Sequence, residues 1–565
     1  MSTTTVSGNL ITHEYRNFRG VDFSQRKDEV SLYRSPDALN MWKNYKNTNG
    51  LCVETRPDLE LLKEYSETIF GLFFYSYNGM EHKIVHIGTK LYDNDDVIYE
   101  HMAENKSNFF VFGTKLYIKD GSSYLVYDGF SVTEVVGYIP TTTIGKSPAG
   151  NGTIYEDVNL LTGVRKNSFI GDGESKAYQL DVESFDDDYT VRAWVNDEEI
   201  LTFTTNPEKG IITFNTAPSE PSTTGQDNVV IQFRRTIEGY RDRINKCTLL
   251  EVFDNRVFFS GNPDYPNVLF HTSLNDPSYC SDLDYYEEGI PDSSVKALVS
   301  GNNALWVFKE PSQTNTTVFY HNPTIDSDYG KIYPSIHSSI STGCVSTGKN
   351  FNDDICFFSN RGMEAISSDV TTEQVIGHRS TLVDNKLLNE TNYKDLILEE
   401  WEGYLLVFVD NKVYLADSRA MMTNNNNKEY EWFYWELDKN IRGTRVNNGV
   451  LYLYSDKEIY TLTKEADINA YWTTLQDEFG YPQYQKTTNK KGCVVDMEGK
   501  EITIAAKTDS KDFEMIKKYT NTKGFVVARI KKKKWKSIQL KFYSNKHFGL
   551  YSSTLEAYVG SYVKR

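Results

Sequence analysis

Short apolar runs follow one another along most of the chain, and polar residues or glycines separate each run from the next. The clearest pair is FDNRVFFSGNPDYPNVLFHTS at 253–273, which reads as two strands joined by a turn. Similar pairs follow in GNNALWVFK, NDDICFFSNRGMEAI, EGYLLVFVDNKVYLAD and NNGVLYLYSDKEIYTL. The pattern repeats about every 47 to 50 residues, with centres near positions 260, 308, 358, 407 and 454.

A repeat of this length is typical of β-propellers, whose four-stranded blades take roughly 40 to 50 residues each. Two more hairpin units precede residue 140, and the first contains Asn78-Gly79, the strongest short signal for a hairpin. Packing blades around an axis buries the faces that a single small sheet leaves open. Two separate β-sandwiches would also use such hairpins, but the regular spacing favours a propeller.

The sequence therefore predicts an all-β fold: a six- or seven-bladed β-propeller with an inserted β-sandwich and a C-terminal β domain. The sandwich prediction depends on alternating runs such as YTVRAWVND and KGIITFNTAP, which interrupt the repeat. The predicted parts are an N-terminal arm at 1–62, a propeller at 63–140 and 247–465, the sandwich at 141–246 and a basic C-terminal β platform at 466–565.

Two short helical segments are also predicted. In YRSPDALNMWKNY, Ser35 suits the N-cap position and Pro36 suits the first helical position. In DSKDFEMIKKY, Phe513, Ile516 and Tyr519 recur at helical spacing on one side. The rest of the chain is expected to form strands and loops.

The composition agrees with a soluble, β-rich chain. Aromatic residues make up 14% of the 565 residues, with 39 Tyr and 30 Phe, and such residues suit half-buried strands. The first residues lack the basic and apolar regions of a signal peptide, and no run of 18 apolar residues predicts a membrane-spanning segment. The six cysteines form no C-x-x-C pair, so we expect reduced, buried thiols and assembly in a reducing cytoplasm.

The net charge of −17 is unevenly distributed along the chain. Residues 486–565 contain 19 Lys and Arg against 7 Asp and Glu, a local charge of +12, so the preceding residues carry −29. Such an asymmetry indicates one end that meets an acidic partner and a body that repels polyanions. A solvated, lysine-rich surface is the plain alternative.

Sequence motifs for catalysis are missing. The chain contains neither G-x-S-x-G nor H-E-x-x-H, and Gly145-Lys146-Ser147 lacks the first glycine of a phosphate loop. His82 and His86 stand four apart in a predicted strand, about 13 Å from each other, which does not suit a shared metal ion. We therefore predict no enzyme activity, no catalytic residue, no cofactor and no metal site.

Calcium binding at the acidic stretches ESFDDDYT and SDLDYYEEG is the alternative, although neither has EF-hand spacing.

The run ARIKKKKWKSIQLKF is the most concentrated basic feature. Three interpretations remain open: an exposed strand end with protective lysines, a nucleic-acid contact, and docking onto an acidic neighbouring subunit.

Several stretches together resemble a known family. FRGVDFS, YRSPDALNMW and ETRPDLELL are similar to the opening of the tail-nozzle and packaged-DNA-stabilisation proteins of short-tailed phages. RVFFSGNPDYPNVLFHTSLNDPSYC and STGCVSTGKNFNDDICFFSNRGMEAIS resemble two blades of that family, and the ending resembles its platform domain. NSFIGDGESKAYQLD resembles an insertion module of phage virion proteins. The family pattern has Arg-Pro-Gly at the arm, whereas Asp58 follows Arg56-Pro57 here.

The resemblance implies a structural protein of the virion tail, assembled in the host cytoplasm. It implies a homo-oligomer, a hexameric ring that continues the DNA channel below the portal and adaptor, retains the packaged genome and lets it pass on ejection. Tail fibres or other tail proteins are further implied partners, and transiting DNA is not bound specifically. Residues predicted to dock a subunit or the adaptor are Arg56, Pro57, Lys531, Lys532, Lys533, Lys534 and Trp535.

The acidic balance suits this role, because phosphate contacts would slow a sliding polyanion, and carboxylates repel it within a Debye length of about 8 to 10 Å. Two other functions remain open. One is a carbohydrate-binding or glycoside-cleaving β-propeller, although the S-x-D-x-G-x-T-W box is absent. The other is a monomeric scaffold of the kelch or WD type, although the chain lacks kelch Gly-Gly pairs and the Trp-Asp dipeptide.

Overall fold

A computed structural model describes residues 9–314, 316–327, 330–338, 340–367, 375–424, 427–463 and 466–562. The chain forms two compact units, of which the first holds residues 1–72 and 344–565 and the second holds residues 73–343. No helix within the described ranges is long and apolar enough to cross a membrane.

The N-terminal segment is extended and built from five strands. These are β1 Asn9–Arg16, β2 Ala38–Leu39, β3 Met41–Lys43, β4 Val53–Thr55 and β5 Leu59–Glu64. The helical turn predicted from Ser35 and Pro36 is wrong. Ser35 Oγ instead accepts hydrogen bonds from the backbone N–H groups of Asp37 and Thr473, so tertiary pairing uses the side chain that would cap a helix.

The second unit contains two consecutive four-stranded blades before the insertion. Their strands pair in chain order and antiparallel, as a propeller blade requires. The strands are β6 Ile69–Tyr77, whose first residues lie in the other unit, β7 Met80–Ile87, β8 Lys90–Asp93 and β9 Asp96–Tyr99, then β10 Asn108–Phe112, β11 Lys115–Lys119, β12 Tyr124–Tyr127 and β13 Val132–Glu134.

The insertion is a two-sheet module with its own apolar core, which includes Phe169, Tyr178, Ile212 and Phe233. One sheet has the order β15-β14-β16-β22-β18-β19 and the other β17-β21-β20. The elements are β14 Thr141–Lys146, β15 Thr153–Ile154, β16 Val164–Phe169, β17 Ala177–Gln179, β18 Arg192–Val195, β19 Glu198–Ile200, β20 Phe203–Asn206, a 3-10 turn Pro207–Lys209, β21 Ile211–Phe214 and β22 Val229–Arg234, followed by helix α1 Tyr240–Asn245.

Two further blades complete the second unit. The third blade is β23-β24-β25-β26 and the fourth is β27-β28-β29-β32, with a small hairpin, β30-β31, between its last two strands. The strands are β23 Leu249–Phe253, β24 Arg256–Ser260, β25 Val268–His271, β26 Tyr285–Glu287, β27 Val295–Gly301, β28 Ala304–Lys309, β29 Val318–His321, β30 Thr324–Asp326, β31 Gly330–Ile332 and β32 Ser335–His337.

The first unit holds the remaining three blades. Helix α2 Asp384–Leu387 separates the fifth blade from the sixth. The strands are β33 Gly348–Phe351, β34 Asp354–Ser359, β35 Gly362–Ser367, β36 Val375–His378, β37 Ile397–Trp401, β38 Tyr404–Val409, β39 Lys412–Asn424, β40 Asn427–Glu436, β41 Gly443–Asn447, β42 Val450–Tyr454 and β43 Glu458–Leu462.

The seventh blade takes its fourth strand from the N-terminal segment. Strand β5 pairs antiparallel with β43, from Leu59↔Leu462 to Glu64↔Glu458. The described residues therefore contain seven four-stranded blades. The predicted all-β fold with a six- or seven-bladed propeller, an inserted sandwich and a C-terminal β domain is confirmed.

The repeating hairpin has a common turn. In six blades, both residues between the first two strands have positive φ, the conformation of a type I′ turn that matches the twist of the strands. Asn, Asp and Gly tolerate positive φ best, which explains the polar pairs in the sequence repeat. The turns are Asn78-Gly79, Asp254-Asn255, Asn302-Asn303, Asn352-Asp353, Glu402-Gly403 and Asn448-Gly449.

The C-terminal domain is made of long strands. They are β44 Ala470–Thr473, β45 Tyr484–Thr508, β46 Glu514–Ala528, β47 Lys533–Trp535, β48 Ile538–Ser544 and β49 Phe548–Tyr562. The helix predicted in DSKDFEMIKKY is wrong, because Ile516 and Tyr519 lie in β46, which pairs with β45. Strand pairing has overridden the helical spacing of these apolar residues.

A single hydrogen-bonded path joins the C-terminal domain to the sixth blade. The sheet order is β2-β44-β48-β45-β49-β4-β3-β40-β39-β38-β37. The large core of the first unit follows this path and contains the fully buried Trp432, Trp435, Trp472 and Trp535. All six cysteines are free and buried, as their scattered spacing predicted.

Candidate functional site

The N-terminal segment is held along the C-terminal sheet by strand β1. All eight residues of β1 pair with β49, from Asn9↔Val559 to Arg16↔Ser552. His13 Nδ1 and the Tyr15 hydroxyl both lie 2.6 Å from Asp477 Oδ2, and the His13 ring stacks on Phe479 at 4.4 Å. The beginning of the described chain is therefore part of the C-terminal domain.

Gly20 lies where the segment crosses the sixth blade. Its φ is +80°, and a Cβ added there would lie 2.0 Å from the carbonyl oxygen of Trp432. The next residue, Val21, donates its N–H to the same oxygen at 2.7 Å. Only glycine has both the conformation and the small size that this close approach requires.

Arg56, one of the predicted docking residues, is 3% exposed. Its Nε donates to Asn40 Oδ1 at 2.9 Å, and its Nη1 and Nη2 donate to the carbonyl oxygens of Pro57 and Glu436 at 2.7 and 2.8 Å. Asp58 Oδ1 lies 3.4 Å from Nη1. The guanidinium thus joins the N-terminal segment to the end of β40, and Pro57 is half-buried beside it.

The basic run lies between β46 and β48 and has mixed exposure. Lys532 is half-buried, its Nζ lies 2.5 Å from Glu514 Oε2, and its N–H donates to Thr488 Oγ1 at 3.0 Å. Trp535 is 1% exposed and packs 5.8 Å from the ring of Phe479. Among the predicted docking residues of the run, Lys531, Lys533 and Lys534 are exposed, as are the neighbouring Arg529 and Lys536.

The structure therefore divides the predicted docking residues into two groups. Arg56 and Trp535 are buried within the chain, where they stabilise the first unit. The docking prediction stays a prediction, and it depends on the exposed lysines of the run. Sequence reasoning had no means to separate the two groups, because burial of an arginine or tryptophan depends on partners that are distant in sequence.

Not all of the basic charge at this end is on the surface. Lys486 is buried, and its Nζ donates to the carbonyl oxygens of Tyr481, Tyr484 and Lys536 at 2.6, 3.1 and 2.7 Å. Burial lowers the pKa of this amine. The three carbonyls compensate part of the desolvation and connect the start of β45 to the basic run.

A cavity of about 380 Å³ lies in the first unit between the N-terminal segment and the sixth blade. Two of its cations already have carboxylate partners. Lys43 Nζ is 2.7 Å from Glu431 Oε2, and Arg419 Nε is 3.0 Å from Asp417 Oδ1. The cavity is therefore lined by an ion-pair network rather than by unneutralised charge.

His378, at the end of β36, lies between two carboxylates. Its Nε2 is 2.5 Å from Asp384 Oδ2 and its Nδ1 is 3.4 Å from Glu364 Oε2. Burial opposes the charged imidazole, but the hydrogen bonds to Asp384 and Glu364 outweigh burial and raise the pKa of His378 to about 9. Arg361 also contacts Glu364 at 3.0 Å, so the cluster has two cations and two carboxylates.

We expect the first unit to lose stability as the pH rises from about 6.5 to about 9. Because the pKa of His378 is raised in the folded chain, its ion pairs contribute fully below the ordinary value of 6.5 and are lost as the pH passes about 9. The difference corresponds to about 3 kcal/mol. Unfolding curves of the wild type and His378→Gln at pH 6 and pH 9.5 measure it. An unchanged pH dependence in the variant would refute the assignment.

Members of both acidic stretches have partners within the chain. Asp186 and Asp188 both pair with Arg234, and Glu288 accepts from Ser335 Oγ at 2.6 Å while His321 Nε2 lies 2.8 Å from its other oxygen. Within the ranges that the structure describes, no group of three or more His, Cys, Asp or Glu side chains is placed to hold a metal ion. Sequence reasoning missed the buried His321–Glu288 pair, because Glu288 follows β26 and His321 ends β29, 33 residues later.

The C-terminal sheet has a stretch that is four strands wide, in the order β46-β45-β49-β1. Here Val526, Val495, Ser553 and Tyr15 form one row across the sheet, and Val527, Val494, Thr554 and Glu14 form the next. In the described residues, β46 pairs with no strand other than β45, and β1 with none other than β49. Each end of this stretch is therefore an edge with backbone groups directed outward.

Comparisons with known proteins yield remote likenesses only. No protein-family model matches the chain, and no curated protein matches it. Among solved structures, BamB from Moraxella catarrhalis is 10% identical, with 72% of this chain and 97% of that chain covered and a TM-score of 0.31. Dihydro-heme d1 dehydrogenase NirN in complex with DHE is 11% identical, with 87% and 82% covered and a TM-score of 0.28. Exo-β-1,3-galactanase from Phanerochaete chrysosporium is 7% identical, with 55% and 94% covered and a TM-score of 0.20. At these TM-scores, none of the three carries an argument about the function of this chain.

Proposed function

We propose that the chain is a structural subunit of the tail of a short-tailed phage. Six copies form a ring that continues the DNA channel below the portal and adaptor, holds the packaged genome and lets it pass on ejection. The observation that carries the proposal is the continuous sheet from the C-terminal domain into the sixth blade, reinforced by the N-terminal segment. A ring that bears the pressure of packaged DNA needs subunits in which the C-terminal domain is joined rigidly to the propeller blade beside it.

The sequence motifs that resemble the nozzle family occupy structural joints of this subunit. YRSPDALNMW supplies β2 and β3, and ETRPDLELL supplies Arg56 and the strand that closes the seventh blade. These motifs therefore have a physical reason to occur together: they join the N-terminal segment to the sixth and seventh blades and to the C-terminal sheet. This agreement supports the resemblance without depending on the solved structures above.

The charge distribution supports the same role. A body with −29 charges repels DNA phosphates and favours sliding over binding, whereas the basic C-terminal end attracts an acidic neighbouring subunit or adaptor. In this proposal the chain performs no catalysis, and the inserted sandwich at 141–246 is the part that contacts fibres or other tail proteins.

Disruption of the gene in its phage is the direct test. We expect particles whose heads fill with DNA but lose it during purification, and a tail without its distal ring in electron micrographs. Wild-type protein supplied from a plasmid should restore both properties. Particles with normal DNA retention and infectivity would contradict the proposal. Turnover or binding of a polysaccharide by the purified chain would favour the carbohydrate alternative instead.

A further inference from the structure

The two open edges of the four-strand stretch differ in character. On β46, Phe525 is 74% exposed and Val527 is 46% exposed, although both lie within the paired strand. Exposed apolar side chains along a free edge mark a surface that another strand can cover. Strand β1, at the opposite end, exposes Leu10 at 47%. The exposed part of the β46 edge is thus apolar near its end, whereas the outward face of β1 has one exposed apolar residue beside polar and charged ones.

The face on which these side chains lie follows from the strand registers. Tyr15 and Val526 share a row with the buried Val495 and Ser553, so their side chains lie on the core face. Side chains alternate along a strand, which places the neighbouring positions on the open face. The open-face residues are Leu10, Thr12, Glu14 and Arg16 of β1, and Phe525 and Val527 of β46. Lys523, which lies beyond Gly524 with its φ of +99°, is also exposed.

One antiparallel register makes these two edges complementary. Placing Glu14 opposite Lys523 also places Leu10 opposite Val527 and Thr12 opposite Phe525. On the core face, the same register places Ile11 opposite Val526. Directly opposed apolar pairs and opposite charges each stabilise a strand pair, so charge and apolar contacts favour the same alignment.

The alternative of pairing β46 with β46 of another copy is less favourable. An antiparallel pair centred on Thr520 would bring Lys517 of each copy opposite Lys523 of the other. Like charges directly opposite each other destabilise a sheet. The lysines on this edge therefore select against this self-pairing register and in favour of an edge with a carboxylate. Strand β1 provides Glu14, whose Oε2 also lies 3.2 Å from Arg16 Nε.

Strand direction also agrees with a closed assembly. The strands β46, β45, β49 and β1 alternate in direction, because every pair among them is antiparallel. Rotation about an axis along the strands keeps their directions, so β1 of the next copy would run opposite to β46. A head-to-tail contact of this kind closes into a ring when its rotation permits.

We propose that β46 of each copy pairs antiparallel with β1 of the next copy, with Glu14 opposite Lys523. This pairing joins the four-strand stretches into one continuous β wall around the ring. It rests on the proposed function, since it names the contact that would hold that ring together. Backbone hydrogen bonds across the two edges supply affinity, and the side-chain register supplies specificity.

The test is an intermolecular disulfide in a full-length Thr12→Cys/Phe525→Cys variant. The six native cysteines are buried, so the introduced thiols dominate oxidation. Directly opposed residues have Cα atoms about 4.5 to 5.5 Å apart, within the range for a disulfide. Oxidation of the concentrated protein, and of particles from gene-disrupted phage complemented with the variant, should yield a ladder of linked chains up to the ring size. The matched control is Thr12→Cys/Lys517→Cys, in which the second thiol is displaced by eight residues, about 27 Å, and should not link.

A second variant tests the contact without oxidation. Phe525→Glu/Val527→Glu changes two exposed residues, so we expect an unchanged melting temperature and a loss of at least tenfold in ring formation or particle recovery. Phe130→Glu, which changes a similarly exposed phenylalanine of the second blade, is the control that should still assemble. If rings form but no disulfide ladder appears, and if the Phe525→Glu/Val527→Glu variant still forms rings, the proposed contact is refuted. The proposal that the chain forms a ring would then still stand. Absence of any ring in particles would refute the proposed function, and this contact with it.

Discussion

Gly20→Ala should lower the unfolding free energy of the first unit by about 3 kcal/mol or more. The new methyl group would lie 2.0 Å from the carbonyl oxygen of Trp432, which is itself held by the N–H of Val21. The clash adds to the cost of a positive φ for alanine, about 1 to 2 kcal/mol, and overpacking costs a further 1 to 3 kcal/mol. Scanning calorimetry should show a transition lowered by several degrees. Trypsin should also cut faster after Arg19 and Arg26 as the segment leaves the blade.

Gly449→Ala is the matched control for this variant. Its φ is +78°, nearly the same as that of Gly20, but no atom lies within 4 Å of the added Cβ. It belongs to the same unit, so the difference between the two variants isolates the steric clash from the backbone cost. Equal losses in the two variants would mean that the contact with Trp432 does not restrict residue 20.

Arg56→Ala should produce the other large loss, about 3 to 5 kcal/mol of unfolding free energy. The change leaves the carbonyl oxygens of Pro57 and Glu436 without the guanidinium that now satisfies them, while Asn40 Oδ1 loses one of its two donors and keeps the N–H of Glu436. A buried acceptor that loses its donor costs about 1 to 3 kcal/mol. Urea unfolding monitored by tryptophan fluorescence is a suitable measurement, because the core of this unit contains several buried tryptophans.

Two companion variants separate geometry from charge in this site. Arg56→Lys keeps the positive charge but cannot reach three acceptors in one plane, so we expect it to recover less than half of the lost stability. Arg26→Ala removes an arginine that is 76% exposed and should change stability by less than about 0.5 kcal/mol. If Arg56→Ala behaved like Arg26→Ala, the proposed joint between the N-terminal segment and β40 would not exist in solution.

The propeller was predictable because each blade repeats a local signal. The pairs Asn302-Asn303 and Asn352-Asp353 encode the type I′ turn within two residues, and the apolar runs beside them encode the strands. No distant contact is needed to read this pattern. The sequence left the number of blades at six or seven, because the last blade takes β5 from a segment about 400 residues away and no local pattern indicates such a partner.

The two helices predicted from local patterns were wrong for the same reason. Ser35 and Pro36 form a good helix start in isolation, and Ile516 and Tyr519 have helical spacing, but both stretches pair with strands of the C-terminal sheet. Apolar residues at intervals of three suit either structure when the segment is short. In the second stretch, pairing with the long strand β45 outweighs helix formation, because pairing along β46 satisfies more backbone hydrogen-bonding groups than a helix of one or two turns would.

The sequence by itself determined the β class, the repeated hairpin, the interrupted order of the domains and the concentration of positive charge near the C-terminus. These properties depend on residues that are neighbours in sequence, because turn conformation and side-chain alternation are set over a few positions. Only the tertiary structure decided that Arg56 and Trp535 are interior joints, that the N-terminal segment completes both the seventh blade and the C-terminal sheet, and that β1 and β46 are left as open edges. Burial and strand pairing at these places depend on residues about fifty to several hundred positions apart, and their free energy appears only when the chain has brought them together.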